Sequence, residues 1–239
     1  MGNIINFEKV MNAAMTMPGV QVDRIAFLIS TFKPFGNDVL ALVDAKPSEL
    51  YSKDVLDKVA DDIIKNHTLK VTAVSAVAGL PGGLAMLGTI PGDLAQFYWH
   101  FLVLAQKLAY VYGWPDLRDE NNNLGEGAQG VLTLFVGVGL GVGGVQNGLD
   151  IVVRAAADHW AKKIPRMALM KTSWYPILKK ILSFIGIKIS RETVGKSASK
   201  IIPLIGGLIS GSMTYLSFKP MAKKLKKTLE STALMNVGK

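Results

Sequence analysis

The sequence predicts an all-α fold, a single compact helical bundle containing glycine-rich apolar helical hairpins. Three observations carry that prediction. Apolar residues recur at helical spacing along the polar segments. Three long uncharged runs are punctuated by glycines four residues apart. Cysteine is absent, which removes disulfides and thiolate metal sites as alternative sources of stability. With 49% hydrophobic and 19% charged residues, the 239-residue chain has ample apolar surface to bury and is not a disordered one.

The N-terminal part, residues 1–70, reads as polar and helical. Its start, MGNIINFEKV, lacks the basic and apolar regions of a signal peptide. Gly2 suits myristoylation, but Asn6 stands where that signal has Ser or Thr. A short helix is expected over Val22–Phe32, ending before Pro34. A longer one is expected over 53–65, with Ser52 at its cap and Val55, Val59 and Ile63 on one face.

The three uncharged runs span residues 71–92, 127–149 and 201–218. Each approaches the roughly 20 residues that cross a bilayer. The first is interrupted by Pro81, Gly82, Gly83 and Pro91, the second holds eight glycines, and the third begins with Pro203 after two isoleucines. Glycines four apart, such as Gly137 and Gly141 or Gly139 and Gly143, share a helix face and let another backbone approach. Each glycine costs about 1 kcal/mol of helix propensity, which close packing can offset. Buried core and membrane insertion both fit this pattern. Between the first two runs, Asp93–Gly113 reads as one long helix at the centre of the bundle. Asp93 favours its start, and Gly113 with Pro115 ends it. Residues 114–126 read as a polar loop.

Charge is distributed unevenly. Residues 1–161 carry 11 basic and 16 acidic residues, a balance of −5, and residues 162–239 carry 16 basic and two acidic, a balance of +14. The basic part is amphipathic. Ile177, Leu178, Ile181, Leu182 and Ile185 form one face, with Trp174 at its head and Lys179 and Lys180 off it. Met221, Leu225 and Leu229 form another, opposite Lys223, Lys224, Lys226 and Lys227. Such patterns suit a helix lying on an anionic membrane surface as well as a solvated helix face. Nucleic acid is disfavoured, because the basic part holds only Arg166 and Arg191 and its apolar residues are mostly aliphatic.

Chemistry-bearing motifs are sparse. The string Gly139-Leu140-Gly141-Val142-Gly143-Gly144 resembles a dinucleotide fingerprint, and Val131–Val136 before it has the composition of a strand. No βαβ series surrounds it, however, and no acid follows about 20 residues on. Gly195-Lys196-Ser197 lacks the first glycine of a phosphate loop, with Ser190 in its place. Asp93, Gln96 and His100 share one face of the long helix. The first and last are about 10 Å apart along the axis, so they meet only through a ligand or a third residue such as Asp150. These four are the candidate ligand-binding residues, and a self-satisfied polar seam in the bundle is the competing reading. No catalytic constellation, metal site or cofactor motif is identified.

Several of these stretches together resemble a known family. They are Ala78-Gly79-Leu80-Pro81-Gly82-Gly83, Pro91-Gly92-Asp93-Leu94-Ala95-Gln96, Gln106–Tyr110 with Tyr112-Gly113, Ser199–Gly207, Thr214-Tyr215 and Lys219-Pro220-Met221. The combination, covering about residues 55–230, resembles the bacterial EcsC family, with Gly92 in place of an expected alanine. The family is helical and named for a protein encoded beside an ABC transporter. The resemblance implies a helical, membrane-proximal protein and carries over no catalytic residue. The expected function is therefore non-catalytic: a peripheral protein at the cytosolic membrane face, binding anionic lipid or a membrane transporter through its basic part. The alternatives are a soluble carrier or enzyme with a lipid-like ligand between the glycine-rich helices, and a membrane-inserting or permeabilising protein.

Overall fold

The computed structural model describes residues 7–36, 38–78, 92–157, 181 and 211–232. Most of the described residues are helical and none is in a strand, so the fold is all-α. The helices are α1 (Phe7–Thr16), α2 (Arg24–Phe32), α3 (Pro47–Leu50), α4 (Lys53–Ala78), α5 (Gly92–Val111), α6 (Glu126–Leu140), α7 (Val145–Ala157) and α8 (Gly211–Glu230). Two 3-10 turns, Lys33–Phe35 and Val39–Val43, join α2 to α3. Pro81–Gly83, Pro91 and residues 201–210 of the uncharged runs lie outside the described residues.

Local chemistry sets the element boundaries. Asp23 caps α2, its carboxylate accepting from the Ala26 N–H at 2.8 Å, so the helix begins two residues later than the apolar pattern suggested. Helix α4 extends 13 residues beyond Lys65, into the first uncharged run, because no Gly or Pro interrupts it before Gly79. Helix α5 ends where Gly113 takes φ +85° and the Trp114 N–H reaches back to the Ala109 carbonyl at 2.9 Å. The loop that follows is not purely polar. Trp114, Leu117 and Leu124 are buried in it, and the Trp114 ring meets Phe135 edge-on at 5.0 Å.

Helix α5 is the centre, as the sequence predicts. Among positions 94–112, only Gln96, Trp99 and Lys107 are not fully buried. It packs against α1, α2, α4, α6 and α8. A helix that is apolar nearly all round must be enclosed in this way. Of its two buried polar side chains, His100 and Gln106, the second is satisfied. Its Oε1 accepts from the Val22 N–H at 3.2 Å, and its Nε2 donates to the Val20 and Leu102 carbonyls at 2.7 and 3.0 Å. The segment entering α2 is thereby fastened to α5. Buried Arg24 fastens it again, donating to the Trp114 carbonyl at 3.0 Å and the Leu42 carbonyl at 3.3 Å.

The second uncharged run forms the α6–α7 hairpin, turning through Gly141 (φ +73°) and Gly144 (φ +85°). Val131–Val136 therefore lies inside a helix, and the glycine string ends one helix instead of joining a strand to the next. That geometry removes the dinucleotide reading. Two glycines of α6 are sites of close approach. A Cβ at Gly139 would come within 2.7 Å of Phe101 Cζ, and one at Gly137 within 2.7 Å of Ile181 Cδ1. The glycine cost in propensity is offset here by side chains packed directly on backbone.

Two substitutions test this account. Gly139→Ala should gain helix propensity yet lower unfolding stability by about 1–2 kcal/mol, because the buried Phe101 ring cannot retreat freely. Adding Phe101→Leu should recover part of the loss left by Gly139→Ala, read as a positive coupling in a double-mutant cycle by urea denaturation. Gln106→Leu should cost on the order of 3 kcal/mol in the same assay, since it strands the Val22 N–H and Val20 carbonyl in the core.

Candidate functional site

Helices α2, α4 and α5 leave between them a groove of about 550 Å³. Helix α4 supplies one wall. Lys58, Asp62, Asn66 and Lys70 follow each other at four-residue steps along it, with Val59, Ile63 and His67 alongside. Lys107 enters from α5. Phe27, Ser30 and Thr31 of α2 and Pro34 and Phe35 of the 3-10 turn complete the lining. Two lysines lie over aromatic rings, Lys107 5.7 Å from the Phe27 centroid and Lys58 5.9 Å from that of Phe35.

At the α4–α5 contact the groove meets a buried histidine pair. His67 and His100 are both buried, with ring centroids 5.9 Å apart in an edge-on arrangement. Trp99 stands edge-on to His100 at 4.7 Å. Lys107 Nζ lies 3.3 Å from His67 Nε2. An ammonium can only donate, so Nε2 accepts and the His67 proton resides on Nδ1. The Nδ1 atoms of both histidines are buried without a hydrogen-bond partner among the described residues.

The electrostatics follow from burial. Desolvation, then the charge on Lys107, pushes the His67 pKa down to about 3. Desolvation, then Lys70 and Lys107, pushes that of His100 down to about 4. Both are neutral imidazoles at neutral pH. Burial and the nearby Lys70 also pull the Lys107 pKa below the ordinary lysine range. Lys107 forms no ion pair among the described residues. An unpaired, half-buried cation beside a second cation is an arrangement that an anion relieves.

Of the four ligand-binding candidates read from the sequence, His100 reaches this site. Its ring neighbour from another helix is His67 on α4. Gln96 is half-buried one turn earlier on α5, and Asp93 belongs to the first turn of that helix. Asp150 is exposed on α7, where its carboxylate accepts from Gln146 at 3.2 Å. The sequence reading missed His67, Lys70 and Lys107. One signal was available: Lys107 is the sole charged residue between Asp93 and Asp116, in an otherwise apolar helix.

The candidate membrane-surface residues divide. Lys223, Lys224 and Lys227 are exposed on α8. Lys224 Nζ lies beside Gly141, 2.6 Å from where a Cβ would stand, at the C-terminal end of α6 where a helix dipole favours a cation. Lys226 is turned inward and half-buried, pairing with Asp61 at 2.9 Å and Asp57 at 3.5 Å on α4. Lys53 joins the same network, bridging Asp57 and Glu230. Met221, Leu225 and Leu229 are buried in the core. Trp174, Lys179 and Lys180 lie outside the described residues, while Ile181 of the same stretch is buried against Gly137.

Among the described residues, no three His, Asp or Glu side chains converge as a metal site requires. No helix among them is long and apolar enough to cross a membrane. In comparisons with family models, curated proteins and solved structures, the chain matches none.

The depressed His67 pKa has a consequence for stability. The unfolded chain takes up the proton near pH 6.5, whereas the folded one does not until about pH 3. Stability is therefore full above pH 6.5 and is lost as pH falls from there toward 3. Between pH 7.5 and 5 the His67 share should be about 2 kcal/mol. His67→Gln, which keeps an acceptor for Lys107, should lack that share in urea titrations at the two pH values. Parallel losses in both proteins would contradict the assignment.

Proposed function

We propose that this chain is a non-catalytic peripheral protein of the cytosolic membrane face, held to anionic lipid by the basic C-terminal part. The observation that carries this reading is the arrangement of α8. Its apolar stripe of Met221, Leu225 and Leu229 is buried internally, while Lys223, Lys224 and Lys227 face outward. The contact of this helix with a membrane is then one of charge and not of insertion. At about 1 kcal/mol per basic residue near an anionic surface, three exposed lysines suffice for weak binding, and the +14 balance of residues 162–239 supplies further attraction. The resemblance to the EcsC family, which rests on the quoted sequence stretches, favours the same membrane-proximal setting.

Flotation of the full chain with vesicles tests the reading. Binding is expected to vesicles containing phosphatidylserine and not to neutral phosphatidylcholine. About 0.5 M salt, where the screening length shrinks to a few Å, should release it. Lys223→Gln/Lys224→Gln/Lys227→Gln should weaken binding about tenfold or more. Binding that survives salt would instead support insertion by the glycine-rich segments, and no binding to either vesicle would overturn the membrane reading.

A further inference from the structure

We propose that the groove between α2, α4 and α5 is a binding site for a phosphomonoester dianion carried on an apolar or planar group. The proposal stands on the groove geometry and does not depend on the lysines of α8.

Charge matching comes first. Lys58, Lys70 and Lys107 line the groove with a single carboxylate, Asp62, and His67 is neutral. Lys58 and Asp62 lie about 18 and 12 Å along α4 from Lys70, so the end of the groove at Lys70 and Lys107 carries about +2 by itself, and a phosphomonoester at neutral pH carries about −1.5 to −2. A monoanionic carboxylate or phosphodiester would leave part of that charge uncompensated. The cations also come from two helices, so a ligand between Lys70 and Lys107 would be held from α4 and from α5 together. Lys107 is the strongest pointer. It is half-buried, lacks an ion pair among the described residues, and spends one donor on His67 at 3.3 Å. An ammonium has three donors, so two remain for an incoming oxyanion.

Neutral groups extend the match. Asn66 and Thr31 line the groove, and neither side chain has a hydrogen bond within the described structure. Both can donate to phosphate oxygens. The Ser30 hydroxyl donates to the Phe27 carbonyl at 2.9 Å and therefore has no proton to offer a phosphate oxygen. The rings of Phe27 and Phe35, with Val59 and Ile63, provide apolar lining on which the rest of the ligand would lie. A volume of about 550 Å³ falls within the range of small-molecule sites, roughly 300–1,000 Å³. The chemistry fits the headgroup of a phosphatidic-acid-like lipid or a free phosphorylated metabolite.

Calorimetric titration of the full chain with phenyl phosphate, inorganic phosphate and benzoate decides the matter. Phenyl phosphate should bind best, inorganic phosphate more weakly for want of the ring, and benzoate least for want of charge. Lys70→Gln and Lys107→Gln should each weaken phenyl phosphate about tenfold. Lys70 is exposed, so its variant remains decisive if the Lys107 variant fails to fold. Absence of phenyl phosphate binding, benzoate binding as tight as phenyl phosphate, or equal affinity in folded variants would overturn the proposal. The source is read in the Lys223→Gln/Lys224→Gln/Lys227→Gln background. Binding to phosphatidic acid vesicles that phenyl phosphate displaces supports a lipid headgroup. Retained phenyl phosphate affinity without vesicle binding supports a soluble phosphomonoester. Failure of vesicle binding by α8 leaves the calorimetric result standing, so the two readings fail separately.

Discussion

Enclosure of α5 on nearly every side is the constraint on which the other elements depend. A helix so buried can tolerate polar side chains only where partners are built for them. Gln106 obtains its partners from the segment Val20–Val22, which therefore lies against α5 in one register. Arg24 then reaches the Trp114 and Leu42 carbonyls from the first turn of α2, fixing where that helix begins relative to the end of α5. The N-terminal third is organised around these hydrogen bonds as much as around apolar contact.

The other side of α5 is governed by shape. Phe101 occupies the space beside Gly139, and Met221 of α8 approaches the same glycine, so α5, α6 and α8 meet where a side chain is missing. Helix α8 is held there by its apolar stripe and by the network of Lys53, Asp57, Asp61, Lys226 and Glu230. Surface ion pairs of this kind contribute little individually. Their effect is to orient α8, so that Lys226 turns into the fold, Lys224 lies beside Gly141 at the end of α6, and Lys223 and Lys227 are exposed.

Lys107 differs from the lysines of α8 in kind. It sits where burial and like charge both oppose ionisation, with a neutral imidazole as its hydrogen-bond partner. Structural lysines are normally relieved of such strain by a carboxylate, as Lys226 is by Asp61. Lys107 has none among the described residues, and it lines the groove between α2, α4 and α5. That contrast within one molecule separates a lysine neutralised by a carboxylate from one that has only a neutral imidazole as partner among the described residues.

Much of the architecture was legible in the sequence. The apolar density of Leu94–Tyr112, with Gly113 as a stop, was enough to place a buried central helix. The glycines of residues 137–144 announced close packing and a hairpin, because only glycine offers both a flat helix face and positive φ. Boundaries were less legible, since Asp23 and the unbroken stretch after Lys65 act through local hydrogen bonds that periodicity does not register. The site was legible only at His100. Periodicity says which residues share a face of one helix, but not which face of another helix it meets. His67 and Lys107 are forty residues apart in the chain, and packing alone brought them within 3.3 Å. The same holds for α8, where four lysines are equivalent in sequence and Asp57 and Asp61, more than 160 residues away, decided that Lys226 turns inward. The sequence by itself determined an all-α chain with a buried helix and a basic end. Tertiary structure decided which charges are paired inside the fold and which stay without an ion pair among the described residues, because that depends on contacts between helices that no local pattern encodes.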